Sequence, residues 1–141
     1  MARQKSRTAD EAAIKKLVAT WSDCFNRKDA HACAMLFAED GELTTVRGDV
    51  DHGPKGVEEH NKLIFSTFLK NAHRTDKVRS IRFLSPTIAS VDSEWEMAGA
   101  TAPNPREAAK PLRKGLLTWI VTKHNGQWYI TLFHEFDYPG Y

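Results

Sequence analysis

Apolar residues in the first part of the chain recur at the spacing of an amphipathic helix. They lie three or four positions apart, as expected for one buried helical face: Ile14, Leu17, Val18, Trp21 and Phe25. Thr8, followed three residues later by Glu11, has the form of a capping box, in which side chains bind the first free backbone amides. The pattern predicts a first helix beginning at Thr8, with residues 1–8 as a flexible, solvated lead-in.

Two further helices and a strand follow. Asp29 is placed to cap a short second helix, and residues 42–47 alternate weakly, which predicts a strand. Residues 48–56 are predicted to form a polar loop, in which Pro54 suits the first turn of a third helix. The inward stripe of that helix includes two polar residues: Val57, His60, Asn61, Ile64 and Phe68.

The pattern then changes to the two-residue period of β-strands. Four strands are predicted, at residues 78–84, 87–97, 116–122 and 128–136. Residues 100–112 are rich in proline and alanine and are predicted to form a loop insertion. Asn125-Gly126 indicates a tight hairpin, because both residues tolerate positive φ. Helices first and antiparallel strands afterwards predict an α+β domain with the helices packed on one face of a sheet.

The hairpin turn also predicts which side chains share a face of the last two strands. With a symmetric two-residue loop, Trp119 pairs with Leu132, and Leu117 pairs with His134. His134 then faces the helices, whereas Glu135 lies on the opposite face and receives no catalytic role. Both faces are unusually apolar, so one is predicted to hold the helices and the other a second subunit.

His60 and His134 are the two histidines predicted to lie on apolar faces. If the third helix packs on the sheet, the two imidazoles meet in a shared cavity, where their nitrogens need partners or water. The alternative for each is a core histidine whose hydrogen bonds are satisfied.

Length and charge favour one globular domain over residues 1–141 and exclude several classes of protein. The formal net charge of +2 argues against nucleic-acid binding. Cys24 and Cys33 are expected to be reduced and buried, and neither a metal site nor a nucleotide-binding glycine loop is predicted, so no cofactor is expected. The chain has no apolar run of the ~20 residues that a membrane span needs and no secretion signal at its N-terminus, so a cytoplasmic location is expected.

Several short motifs resemble the nuclear transport factor 2-like fold, and more narrowly the SgcJ/EcaC group of SnoaL-like proteins. Besides the first helix they are Asn-Arg-Lys-Asp-Ala at 26–30, Leu-Phe-Ala-Glu-Asp-Gly at 36–41, Val-Glu-Glu-His at 57–60, Val-Arg-Ser-Ile-Arg-Phe-Leu at 78–84 and Trp-Tyr-Ile-Thr-Leu-Phe-His at 128–134. The resemblance implies a cone in which a curved, mixed sheet wraps the first helix and leaves a pocket at its open end. It also implies a homodimer through the outer face of the sheet.

Candidate roles follow from the residues and the resemblance together. His60 and His134 match the histidines that the group places on the third helix and the final strand, and they are predicted to act as acid–base catalysts on a small apolar carbonyl compound. Arg79 is predicted to stabilise a developing oxyanion, with a surface arginine as the alternative. Three tryptophans are predicted to form walls for the ligand, with a role in the core as the alternative: Trp21, Trp95 and Trp119.

The predicted function is therefore that of a cofactor-independent isomerase, cyclase or dehydratase that binds a small hydrophobic molecule. The alternative is a non-catalytic domain that binds a ligand or oligomerises on the same fold, because one fold hosts many functions.

Overall fold

Two helices, two strands and a third helix make up the first half of the chain, and strands make up most of the described residues after them. The computed structural model describes residues 2–101 and 112–138. The elements are α1 Ala2–Asn26, α2 Ala30–Ala34, β1 Phe37–Thr44, β2 Val50–His52, α3 Gly53–Phe65, β3 His73–Ser85, β4 Ile88–Ala98, β5 Leu112–His124 and β6 Gln127–Asp137. Within these residues no helix combines the length and the apolar character that crossing a bilayer requires.

The six strands form one curved, mixed sheet in the order β2-β1-β6-β5-β4-β3. β1 runs parallel to β6, and the other neighbouring strands are antiparallel. The helices pack on the inner face of the sheet, where β4 and β5 alternate between buried and exposed residues. The predicted α+β cone is confirmed. Residues 102–111 of the predicted insertion lie outside the described part of the chain, and Leu112 already belongs to β5.

Several elements are longer or placed differently than predicted. α1 begins at Ala2, well before Thr8, because the residues between them have good helix propensity and include no breaker. The Asp29 cap is confirmed, since its side chain accepts a hydrogen bond from the backbone amide of Ala32 at 3.0 Å. β1 begins at Phe37 and β2 lies within the predicted polar loop, because hydrogen bonding to neighbouring strands extends the strand conformation beyond what local pattern indicates.

A buried aromatic cluster forms the centre of the core, with Trp21 of α1 in its middle. The ring of Trp21 lies 4.7 Å from that of Phe133 and 6.3 Å from that of Trp119, centroid to centroid. Both cysteines, Cys24 and Cys33, are free and buried, as predicted. Aromatic pairs in these tilted arrangements stabilise a core beyond their buried area.

Asp10, in the N-terminal part of α1, links this helix to the β5–β6 hairpin. Its Oδ1 accepts hydrogen bonds from Trp128 Nε1 and Lys123 Nζ, each at 3.0 Å. Burial by itself would raise the pKa of Asp10, but the two hydrogen bonds and the charge of Lys123 outweigh it and lower the pKa. This contact holds the long helix against the β5–β6 hairpin.

The β5–β6 hairpin begins as predicted and then departs from the predicted register. Asn125 and Gly126 have φ values of 51° and 78°, which confirms the tight turn. Val121 pairs with Ile130 as expected, but Ile120 then pairs with Leu132, so Thr131 is an extra residue in β6. A β-bulge of this kind shifts every later side chain of its strand to the opposite face.

Beyond the bulge, the predicted pairing is therefore wrong. Trp119 pairs with Phe133 instead of Leu132, and Leu117 pairs with Glu135 instead of His134. The final strand consequently presents Phe133 and Glu135 to the helices.

Candidate functional site

A cavity of about 70 Å³ lies between the helices and the inner face of the sheet. Its apolar wall is contributed mainly by α1, α3 and the inner strands, and includes Trp21, Phe25, Ile64, Phe68, Met97 and Phe133. Its polar side chains include those of His60, Asn61, Arg74, Arg113 and Glu135, with Arg47 and Asp49 at the exposed side. A mainly apolar pocket with a few convergent polar groups is the usual form of a small-molecule site.

His60 reaches this cavity from α3 and is backed by a carboxylate. Gly53 and Pro54 turn the chain from β2 into α3, which brings Asp51 of β2 next to the helix. His60 Nδ1 lies 3.3 Å from Asp51 Oδ2, and the two side chains are 22% and 16% exposed. Burial raises the pKa of Asp51, and the neighbouring His60 works against that rise. Because Nδ1 faces the carboxylate, Nε2 is the nitrogen that remains for a ligand.

Arg74, Asp76 and Glu135 form a buried charge triad at another part of the cavity wall. Arg74 donates from Nε and Nη2 to the two oxygens of Asp76, at 2.8 and 2.9 Å, and from Nη1 to Glu135 Oε1. The guanidinium lies 5.2 Å from the ring centre of Trp95 and is 2% exposed. Burial alone disfavours the charged guanidinium, but the two carboxylates outweigh it and raise the pKa of Arg74, so its charge is permanent.

Polar residues of α1 fix this triad in place. Asn26 Oδ1 accepts from the backbone amide of Arg74 at 2.7 Å, and Asn26 Nδ2 donates to the Arg74 carbonyl at 2.8 Å. Ser22 Oγ donates to Asp76 Oδ2 at 2.7 Å. The side chain of Glu135 is thus held at the cavity by a cation that is itself held by α1.

Three buried polar atoms around the cavity have no hydrogen bond in the part of the chain that the structure describes. They are Trp21 Nε1, Asn61 Nδ2 and Asp51 Oδ2. Trp21 and Asn61 line the cavity directly, and Asp51 contacts His60, which also lines it. Unpaired buried donors are rare because each costs free energy in the folded state.

The sequence matches the SnoaL-like domain model over residues 6–134, which is most of its length. The chain belongs to the SnoaL-like domain family. A comparison with curated proteins found no match.

Solved structures share the fold of this SnoaL-like domain at low sequence identity. A cystatin-like domain of unknown function from Nostoc punctiforme has a TM-score of 0.79 and 24% identity, with 93% of this chain and 78% of that chain covered. A protein from Novosphingobium aromaticivorans, provisionally named a scytalone dehydratase, has a TM-score of 0.80 and 19% identity, with 96% and 88% covered. A hexachlorocyclohexane dehydrochlorinase (LinA type 2) has a TM-score of 0.83 and 15% identity, with 98% and 90% covered.

These folds and the family match place the SnoaL-like domain in the nuclear transport factor 2-like superfamily. At these identities the likeness to solved structures concerns the fold. The narrower resemblance to the SgcJ/EcaC group stays a prediction.

The structure does not bring the two predicted histidines of the SnoaL-like domain together. His60 lines the cavity. His134 pairs with Thr118 of β5 and Thr44 of β1, on the outer face of the sheet, and is not among the cavity residues. The bulge at Thr131 is the reason, since it turns His134 outward.

The other predicted ligand-binding residues are divided between the cavity, the core and the surface. Trp21 lines the cavity. Arg79 is exposed on β3, with its Nε 3.5 Å from Glu94 Oε1, so it lies away from the cavity. Trp119 is buried in the core and donates from Nε1 to Ser93 Oγ at 2.8 Å.

Trp95, the remaining predicted wall residue, stands behind the cavity. The guanidinium groups of Arg74 and Arg113 lie 5.2 and 5.5 Å from the centre of its ring. Its Nε1 donates to the carbonyl of Leu116 at 3.1 Å. Trp95 therefore supports two cavity residues.

Sequence reasoning missed Asp51, Arg74 and Glu135 as site residues. Asp51 lies in a segment whose polar composition predicted a loop, and Arg74 precedes the predicted start of β3. Alternation would have placed Arg74 and Asp76 on one strand face, but that pattern is equally typical of a solvated face. The predicted hairpin register put Glu135 on the face opposite the helices, which is why it received no role. Within the described residues, no cluster of three or more His, Cys, Asp or Glu side chains is arranged to hold a metal ion.

Proposed function

We propose that this SnoaL-like domain is an enzyme that moves a proton on a small, largely apolar carbonyl compound bound in the cavity. The observation that supports this most directly is that His60, backed by Asp51, and Glu135, held by Arg74, line one apolar cavity. An imidazole can take and return a proton near neutral pH, and a positioned acid–base group accelerates such steps by roughly 10²–10⁴-fold.

The proposed step begins with removal of a proton from the carbon next to the carbonyl. Nε2 of His60 takes the proton, the C–H electron pair moves toward the carbonyl carbon, and the carbonyl oxygen gains the negative charge of an enolate. His60, now an imidazolium stabilised by Asp51, returns the proton to another carbon of the same molecule in an isomerisation. In a dehydration the enolate electrons form a new C=C bond while the C–O bond of a β-hydroxyl group breaks, and the imidazolium gives its proton to that hydroxyl group, which leaves as water. Only groups of the chain itself take part.

Glu135 complements His60 from another element. Its Oε1 is occupied by Arg74, which leaves the second carboxylate oxygen for a hydroxyl group of the ligand. The names of two structural neighbours, a dehydratase and a dehydrochlorinase, denote eliminations of water and of hydrogen chloride. They support the same class of chemistry here.

Hydrogen–deuterium exchange at the α-carbon tests the proposal without knowledge of the natural substrate. A panel of small cyclic ketones and β-hydroxy ketones is incubated with the protein in D₂O, and NMR follows loss of the α-proton signal. We expect enzyme-dependent exchange or elimination with members of the panel. His60→Gln should lower the rate by about 10²–10⁴-fold, whereas His124→Gln, at an exposed histidine of the β5–β6 turn, should leave it unchanged.

The opposite results separate the alternatives. Thermal stabilisation by panel members without exchange favours the non-catalytic binding function. Exchange that survives His60→Gln contradicts the assignment of His60, and an inert, unstabilised protein contradicts the small-molecule proposal as a whole.

We also propose that the outer face of the sheet forms a homodimer. Phe136 is 55% exposed on β6 and pairs with Leu116 of β5, and Ile120 on the same face is partly exposed. Exposed apolar patches of this kind commonly mark protein interfaces. Light scattering should give twice the 15.9 kDa chain mass, and Phe136→Asp should shift the protein toward the monomer. A monomeric mass for the unaltered chain would exclude the dimer.

A further inference from the structure

We propose that Trp21 and Asn61 form an oxygen site, in which Trp21 Nε1 and Asn61 Nδ2 donate hydrogen bonds to the carbonyl oxygen of the ligand. This inference rests on the proposed function, because it names the group of the ligand that the same cavity binds. In this proposal the ring of Trp21 forms part of the cavity wall, and its N–H group also binds the ligand.

The oxygen site is inferred from two buried hydrogen-bond donors at the cavity that lack an acceptor. Trp21 and Asn61 are each 2% exposed, and neither Nε1 nor Nδ2 has a partner in the described residues. The other buried tryptophans are satisfied: Nε1 donates to Leu116 in Trp95, to Ser93 in Trp119 and to Asp10 in Trp128. The indole that lacks a partner is the one that lines the cavity.

The chemistry of the two donors selects an oxygen. An indole N–H can only donate, and the amide nitrogen of asparagine likewise only donates. A ligand that leaves both donors unpaired binds with less favourable free energy, because two buried groups then lack hydrogen bonds. A carbonyl oxygen has two lone pairs and can accept from both donors. Water can fill the site in the free protein, since the cavity is polar at this point and larger than one water molecule.

The neighbouring cation does not take over this role. The guanidinium of Arg74 donates to Asp76 twice and to Glu135 once, so its charge is balanced by two carboxylates. The oxygen site is therefore made of neutral donors. Neutral, fixed donors aimed at an oxygen that becomes negative stabilise an enolate more than the starting ketone.

The test compares two probes of nearly the same shape, cyclopentanone and methylenecyclopentane, in which a CH₂ group replaces the oxygen. Titrations followed by NMR give a dissociation constant for each probe and report the indole N–H resonances. We expect cyclopentanone, and not the hydrocarbon, to shift the Trp21 indole resonance downfield. This measurement uses the unaltered protein and so does not depend on whether a variant folds.

Variants then assign the effect to the two donors. Trp21→Phe keeps an aromatic ring and removes the N–H, and Asn61→Leu keeps the approximate shape and removes the amide. Each should reduce the preference for ketone over hydrocarbon about tenfold, the factor expected for one hydrogen bond. Trp128→Phe removes an indole N–H that binds Asp10 outside the cavity, so this matched control should keep the preference.

Several outcomes would overturn the oxygen site. These are a failure of cyclopentanone to bind, binding that leaves the Trp21 indole resonance unmoved, and equal changes of preference in Trp21→Phe and Trp128→Phe. Exchange that requires His60 but is unaffected by Trp21→Phe would remove the oxygen site and leave the proposed function standing. Ketone binding that requires Trp21 but is not accompanied by exchange would keep the oxygen site and contradict the proposed function.

Discussion

Replacing Arg74 with methionine removes the cation of the buried charge triad while keeping much of its apolar stem. The substitution deletes two hydrogen bonds to Asp76 and one to Glu135. It leaves two carboxylates in an environment where the Arg74 side chain is 2% exposed and that of Asp76 is fully buried. The chain gains no new cation to compensate them.

The expected loss of stability follows from this burial. Removing one partner of a buried ion pair costs about 3–5 kcal/mol, because the remaining charge has lost both water and its partner. For a domain of this size each kcal/mol changes the melting temperature by roughly 3–4 °C, so Arg74→Met should melt about 10–20 °C lower.

Arg113→Met is the matched control for this measurement. Arg113 also lies against the ring of Trp95, but its partner Asp137 is 38% exposed, and such pairs contribute about 0–1 kcal/mol. Urea unfolding followed by circular dichroism gives the free energy of unfolding of both variants. If Arg74→Met costs no more than Arg113→Met, the triad does not hold the cavity wall and our account of Glu135 fails.

Three further predictions concern the hairpin and its attachment to α1. Asp10→Asn should lower the free energy of unfolding by about 1 kcal/mol near neutral pH. Because the pKa of Asp10 in the folded protein lies below 3.8, this stabilisation is present above pH 3.8 and is lost as the pH falls through the folded-state pKa. Measuring the free energy of unfolding of both proteins during acid titration checks this. Gly115→Ala should cost several kcal/mol by overpacking, since an added Cβ would lie 2.5 Å from Trp95 Cζ2, and a normal melting temperature in calorimetry would contradict this. His134→Gln should retain ketone binding and exchange because His134 lies on the outer face of the sheet. A loss of exchange as large as that in His60→Gln would contradict this placement and favour the register without a bulge.

Local patterns in the sequence carried the prediction of the fold a long way. The apolar stripe of α1, the Asp29 cap and the Asn125-Gly126 turn each depend on residues close together in the chain, and all three are present in the structure. His60 was found for the same reason, because a helix fixes the direction of each side chain relative to its neighbours.

What the sequence by itself determined, then, is the order of helices and strands apart from β2, the inward direction of His60 and the position of the hairpin turn. The tertiary structure alone decided that Glu135 enters the cavity and His134 leaves it, since one extra residue at Thr131 reverses the face of all that follows. It alone also joined Arg74 to Glu135, which are 61 residues apart in the chain. Strand register and long-range ion pairs depend on how the whole sheet closes around α1, and that closure is a property of the assembled core, which no local pattern encodes.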